Sequence, residues 1–301
     1  MIKEKFYIEK KYKTFRRIDE KHPLDIFVGY NEKGNPSIII SIVGKERMIQ
    51  STQSIKVSTF KIESKIRILF SLLDKNKETI FYKFCEDIVE STRNIDEKKV
   101  FEFIIYRWNE WRFMFKKPNI ELLTENQIVG LLGELLFLDN YMFSRYGIEK
   151  SIKAWQGPTK SHKDFEIKNT WYEVKTIRQS VLTVKISSIE QLDSNLDGNL
   201  EVITLERANE EVENSISINK IIQYLSEKIN SFEIYNMFYE KLAQIGYFYD
   251  EEYDKYVYKY IKRDTYLVDK NFPRIKRDSL EEGIVNISYD ILLREIEKLK
   301  R

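Results

Sequence analysis

The residues most able to do chemistry in this chain are acidic. Glu134 stands at the centre of Ile128-Val-Gly-Leu-Leu-Gly-Glu134-Leu-Leu-Phe-Leu138, a helical run apolar almost all round and therefore expected to be buried on most sides. A carboxylate in such a place is costly unless it is paired, protonated or bound to a metal. Two readings stay open on these residues alone: a functional acid, or a glutamate paired with a structural arginine or lysine at a helix crossing. Thr124-Glu-Asn-Gln127 has the form of a capping box that would start this helix. Gly130 and Gly133, on the turn before Glu134, would let another backbone come close, each at a helix cost of about 1 kcal/mol.

A second set of charged groups lies downstream. Asp164-Phe-Glu-Ile-Lys168 and Trp171-Tyr-Glu-Val-Lys175-Thr-Ile177 read as two short strands around Asn169-Thr170. Side chains alternate across a sheet, so Asp164 and Glu166 share one face, and Glu173 and Lys175 share one face of the next strand. With Asn169-Thr170 as a two-residue loop, Glu166 would pair with Glu173 and Asp164 with Lys175. Asp164, Glu173 and Lys175 would then converge on one patch, within reach of a shared ion. Glu-x-Lys by itself is uninformative, because it recurs at Glu9-Lys11, Glu63-Lys65, Glu97-Lys99 and Glu166-Lys168. The ordered combination carries the signal: a greasy helix with a central glutamate, an aspartate opening a strand, Glu-x-Lys in the next, a strand at 181–186, and Ser187-Ser-Ile-Glu-Gln191-Leu as a helix start.

Composition restricts which ion that could be. Cys85 is the sole cysteine, and His22 and His162 are the sole histidines. A disulfide framework, a cysteine zinc site and most histidine-rich catalytic sites are excluded. Carboxylates remain, which favours magnesium or a similar hard cation. With 42% hydrophobic and 33% charged residues over 301 positions, the chain should fold around a substantial core. The net charge of +2 does not separate nucleic-acid binding from other roles. The charged start Met1-Ile-Lys-Glu-Lys-Phe lacks a secretory apolar run, and no stretch reaches the roughly 20 apolar residues of a membrane span. With the single cysteine, this points to a reducing cytoplasm and no membrane partner.

The elements that must position these groups read as α/β (α+β). Strands are expected at 25–30 and 37–42 around a Gly-containing hairpin, then at 55–60 and 65–72, with helices at 79–90 and 97–115. Phe101, Ile104, Ile105, Trp108 and Trp111 recur at helical spacing; core packing is the favoured reading, base stacking the other. Lys116-Lys117-Pro118 would end that helix. After Arg207, helices are expected at 218–229 and 233–245, strands at 253–268 and near 283–289, and a closing helix at 291–301. Three regions follow: 1–118, an N-terminal α+β region for DNA or partner recognition; 119–207, a core with a central mixed sheet flanked by helices; and 208–301, mostly helical with a strand-rich tail.

Residues 125–205 resemble the PD-(D/E)XK, or restriction-endonuclease-like, nuclease superfamily, whose core runs helix, three strands, helix, strand. Gly133-Glu134-Leu-Leu-Phe-Leu, Trp155-Gln-Gly-Pro158, His162-Lys-Asp164-Phe, Glu173-Val-Lys175-Thr and Gln191-Leu are similar to a bacterial group of that superfamily. Members are often encoded beside restriction-modification or phage-defence genes. The similarity continues more weakly to Phe272-Pro-Arg274-Ile. One departure is that Lys163, not proline, precedes Asp164.

The resemblance implies a metal-dependent endonuclease acting on DNA, with Mg2+ and with Mn2+ able to substitute. Asp164 and Glu173 would be ligands, with the Val174 carbonyl as a third. Glu134 would anchor the site through a metal-bound water or through Lys175, Lys175 would position and deprotonate the attacking water, and Gln191 would orient the site. Glu166 could replace or join Glu134, or be structural; His162 could touch a phosphate or cap its loop; Trp155 would pack under the hairpin. A homodimer, and methyltransferase or helicase/ATPase partners, are implied by analogy. Other readings are a non-catalytic DNA-binding or assembly subunit on the same fold, and a regulator binding DNA through Lys255, Lys259, Lys262 and Arg263 among tyrosines.

Overall fold

The structure, a computed structural model, describes residues 2–7, 12–44, 46–96, 98–115, 122–159, 161–209 and 211–301. Glu9, Lys11, Glu97 and the helix-ending Lys116-Lys117-Pro118 lie outside them. The chain is mixed α+β and divides into two compact units, Met1–Leu122 with Tyr247–Glu251, and Leu123–Gly246 with Glu252–Arg301.

In the first unit, α1 (Ile2–Tyr7) and β1 (Thr14–Arg17) precede β2 (Asp25–Tyr30), β3 (Pro36–Ile42), β4 (Ile55–Ile62) and β5 (Lys65–Leu72). They form an antiparallel sheet in the order β1-β2-β3-β5-β4. Helices α2 (Glu78–Ser91) and α3 (Val100–Met114) follow. Trp108 and Trp111 are fully buried, and both rings pack against Phe84 and Phe115. The aromatic stripe of α3 is therefore core. A base-stacking role would need faces that these contacts occupy. Arg107 forks onto the Asp87 carboxylate at 2.6 and 2.7 Å, which pairs the buried charge.

The second unit opens with α4 (Glu125–Phe137), started by the Thr124–Gln127 capping box. A π-helical turn (Leu138–Phe143), α5 (Ser144–Tyr146) and α6 (Ile148–Ala154) follow. Next come β6 (Phe165–Ile167), β7 (Thr170–Arg178), β8 (Thr183–Ile186) and β9 (Gly198–Arg207). After β10 (Ser215–Ile216), α7 (Ile218–Lys228) and α8 (Phe232–Ile245), the chain returns through β11 (Tyr258–Val268), β12 (Tyr289–Leu292) and α9 (Leu293–Ile296). The main sheet runs β10-β11-β9-β7-β6, with β7 parallel to β9 and the other pairs antiparallel. Regions 119–207 and 208–301 thus share this sheet through the β9–β11 pair. Strand β8 pairs with β12 instead.

Several boundaries differ from expectation. Residues Glu251–Lys255 form a 3-10 turn, so the tyrosine-rich strand starts only at Tyr258. The last strand is β12, not 283–289, because Tyr289–Leu292 finds the free edge of β8. That pairing consumes the start of the expected closing helix, leaving the short α9 and a 3-10 turn (Glu297–Leu299). Ser187-Ser-Ile-Glu-Gln191 opens a single 3-10 turn (Ile189–Gln191) rather than a full helix.

Helix α4 lies on the face of β7 that carries Tyr172, Val174 and Thr176. Phe137 meets Phe165 and Tyr172 there, with ring centroids 5.2 and 5.3 Å apart. Gly133 makes the approach possible, since a Cβ there would fall 1.9 Å from Thr176 Oγ1. Gly130 has open space where its Cβ would be, so the expected close approach belongs to Gly133 alone. Gly133→Ala should cost about 1–3 kcal/mol in urea unfolding, from overpacking against β7. Adding Thr176→Ala removes an unpartnered hydroxyl and should recover part of that loss. Simple additivity of the two substitutions would show that this contact does not set the helix position.

Candidate active site

Because side chains alternate along β7, Trp171, Glu173 and Lys175 face away from α4. The β6–β7 register pairs Phe165 with Tyr172, Glu166 with Trp171 and Ile167 with Thr170. The turn is therefore Lys168-Asn169, one residue earlier than expected, and every pairing moves by two positions. Glu166 does not oppose Glu173, and Asp164 does not oppose Lys175; continuing the register sets Asp164 against Glu173. A shift of two leaves each side chain on the same face, so Asp164, Glu173 and Lys175 still converge. Asp164 is fixed further by the Val174 amide, which donates to its Oδ2 at 2.7 Å.

Glu134 comes to Asp164 from the helix layer. Its Oε2 accepts the Trp155 indole N–H at 2.7 Å, and Trp155 bridges through its backbone to Phe165. The amides of Gln156 and Gly157 both donate to the Asp164 carbonyl. Gly157 leaves room for the acids: a Cβ there would lie 2.6 Å from Glu134 Oε2 and 3.4 Å from Asp164 Oδ1. Trp155 and Gly157 belong to the Trp155-Gln-Gly-Pro158 motif. Their roles as partner and spacer of the acids were not evident in the sequence, because both act on a helix 21 or more residues away.

Lys175 lies 2.8 Å from Glu173 Oε1 and donates to Gln191 Oε1 at 3.0 Å. The same Gln191 oxygen accepts the Ser187 amide at 2.7 Å, which fixes the amide orientation. Lys163 is buried, its ammonium 4.1 Å from the Trp171 ring centre and bonded to the carbonyls of Glu190 and Asp193. Burial pulls it down to about 8. Glu166 is exposed at its place opposite Trp171, and His162 is exposed in the bend before β6. Of the basic residues of the tail, Lys255 lies in the 3-10 turn and pairs with Glu252 at 2.8 Å, while Lys259, Lys262 and Arg263 lie on β11, with Lys262 paired to Asp264 at 2.6 Å and Arg263 over Tyr141.

The electrostatics of this corner are dominated by crowded acids. Glu173 is 1% exposed, and neither carboxylate oxygen accepts a hydrogen bond of good geometry. Burial, and then the charge of Asp164, push it up to about 8, against the opposing pull of Lys175. Burial also raises Asp164. Glu134 is raised by burial first and by Asp164 and Glu173 after it, with the Trp155 bond pulling the other way. Removing water from three acids that repel one another favours their protonated forms.

Among the described residues, no three His, Cys, Asp or Glu side chains are clustered as a ready-made ion site. The donors nevertheless fit a hard divalent cation. They are carboxylate oxygens, two of them buried and without hydrogen bonds, and they are held by Gly157 and Val174 toward one corner.

A raised carboxyl binds its proton more tightly in the folded state. Its contribution to stability is therefore greatest below the unfolded value of 4.5 and is lost as pH climbs toward about 8. In EDTA, wild-type stability should fall across this window by a few kcal/mol, an order-of-magnitude figure. Glu173→Gln should flatten the slope. Identical slopes in pH-dependent urea melts would contradict the burial of a titrating acid here.

The family model described as "Putative PD-(D/E)XK family member, (DUF4420)" matches residues 4–294. No curated protein and no solved structure gives a match. Among the described residues, no helix is long and apolar enough to cross a membrane. The family match spans nearly all of the 301 residues, and with it the chain belongs to this family of the PD-(D/E)XK superfamily.

Proposed function

We propose that the chain is a divalent-cation-dependent endonuclease that hydrolyses DNA phosphodiester bonds, in a restriction or anti-phage defence system. The observation that carries this reading is the buried Glu173 carboxylate, crowded by Asp164 and faced by the Lys175 ammonium at 2.8 Å. One ammonium faces several crowded buried acids here, and a surface of purely structural use would not gather them, because their mutual repulsion and burial destabilise the fold. The choice of DNA and the defence setting follow the family resemblance; the corner's chemistry serves any phosphodiester.

Asp164 and Glu173 would hold Mg2+, or Mn2+ in its place, with the Val174 carbonyl as a third donor and Glu134 acting from the helix side. The chemistry such an ion supplies when bound is relief of negative charge on the phosphoryl group and leaving oxygen. The protein's own residues do the rest. Lys175 has three N–H donors. Gln191 engages one of them and Glu173 faces the ammonium at 2.8 Å, which leaves a donor to orient a water toward phosphorus. Asp164, tied to the Val174 amide, keeps a fixed lone-pair direction through the reaction. Cutting both strands would suit a homodimer, with one site per strand, and a methyltransferase or helicase/ATPase would be its partner protein in the same system.

Plasmid DNA incubated with the purified chain and Mg2+ should be nicked or cut. Lys175→Ala should lower the rate by about 100-fold or more while keeping the Mg2+-induced rise in melting temperature. Asp164→Asn should lose both the activity and the rise. Comparable cutting by Lys175→Ala would reject its catalytic assignment. A wild type silent on modified and unmodified DNA, and with neighbouring gene products, would favour the non-catalytic subunit.

A further inference from the structure

The turn that carries Gln191 is held by cations from two distant parts of the second unit. Its carbonyls at Glu190, Leu192 and Asp193 lie at the end of a 3-10 turn, where backbone dipoles leave partial negative charge. Lys163 donates to the Glu190 and Asp193 carbonyls, and Arg274 donates to the Leu192 carbonyl. Arg277 pairs with the Glu190 carboxylate, while its backbone amide donates to Asp193 Oδ2 at 3.1 Å. The segment bearing both arginines is rooted by Phe272, 4% exposed in the core formed with Trp171, Leu192 and Leu200. The Ile275 amide reaches the Tyr289 hydroxyl at 3.4 Å.

We infer that Lys163 and the 272–277 segment form a clamp that positions Gln191, and through it Lys175, with Arg274 the central positioning residue. This rests on the nuclease reading for its catalytic consequence, but not for its structural one. A lone 3-10 turn has poor intrinsic stability, yet Gln191 must hold one oxygen against both Ser187 N and Lys175 Nζ. Replacing the expected full helix by one turn removes the scaffold that would fix this side chain. The clamp supplies it from outside. The same geometry gives Lys163 a use in the place before Asp164. A proline there could not reach the Glu190 and Asp193 carbonyls, whereas a buried ammonium bonds both.

The test compares Arg274→Met, which keeps length but removes the donors, with Arg274→Lys, which keeps a cation. Hydrogen exchange of the Ser187 amide reports the Gln191 bond directly. It should speed up about tenfold or more in Arg274→Met and recover partly in Arg274→Lys, with β9 amides unchanged in both. On DNA with Mg2+, kcat of Arg274→Met should fall about tenfold with KM held within about twofold. Unchanged Ser187 protection would overturn the clamp, as would an equal loss of protection throughout β9. Faster Ser187 exchange with normal kcat would overturn its positioning role. If the wild type cuts nothing, the nuclease reading fails by itself and Ser187 exchange still decides the clamp.

Discussion

Everything at the candidate site depends on one unresolved interaction: the Glu173 carboxylate is out of water and has only the nearby Lys175 ammonium against it. A buried acid without hydrogen bonds is a store of unfavourable free energy. Here the store is enlarged by Asp164 and Glu134, whose charges act on the same corner. Proteins keep such arrangements where binding relieves them. A divalent ion held by Asp164 and Glu173, as proposed, would offset the charge crowding of this corner.

The surrounding fold makes that crowding possible. Gly133 lets α4 settle on Thr176, which sets the depth at which Glu134 leaves the helix. Trp155 then takes one Glu134 oxygen, and Gly157 keeps side-chain bulk away from the acids. On the far side, Gln191 holds Lys175 by a bond that the clamped 3-10 turn supports. The acids are thus fixed from the helix layer and the ammonium from the turn. Neither support is a neighbour of Glu173 in sequence.

That separation explains what could be read without coordinates. The convergence of Asp164, Glu173 and Lys175 was legible because it depends on a period of two, and the two-position error in register preserves that parity. The exact turn was not legible, because Lys168-Asn169 and Asn169-Thr170 are both acceptable two-residue loops. Glu134 declared itself by standing in an apolar helix, but its partner Trp155 could not be deduced from helical spacing. The Gln191 helix failed because the chain after it is recruited by Lys163 and Arg274, contacts that span about 30 and 80 residues. The β8–β12 pair was missed for the same reason, being closed across about 100 residues. Local pattern gave the faces; non-local contacts gave the partners.

The most direct test of the central claim is an anomalous-difference map from crystals grown with Mn2+. The account predicts a peak at the corner of Asp164 and Glu173, with oxygens of both at about 2.2 Å and Glu134 on the helix side. A map without a peak there, with Glu173 still resting on Lys175, would contradict it.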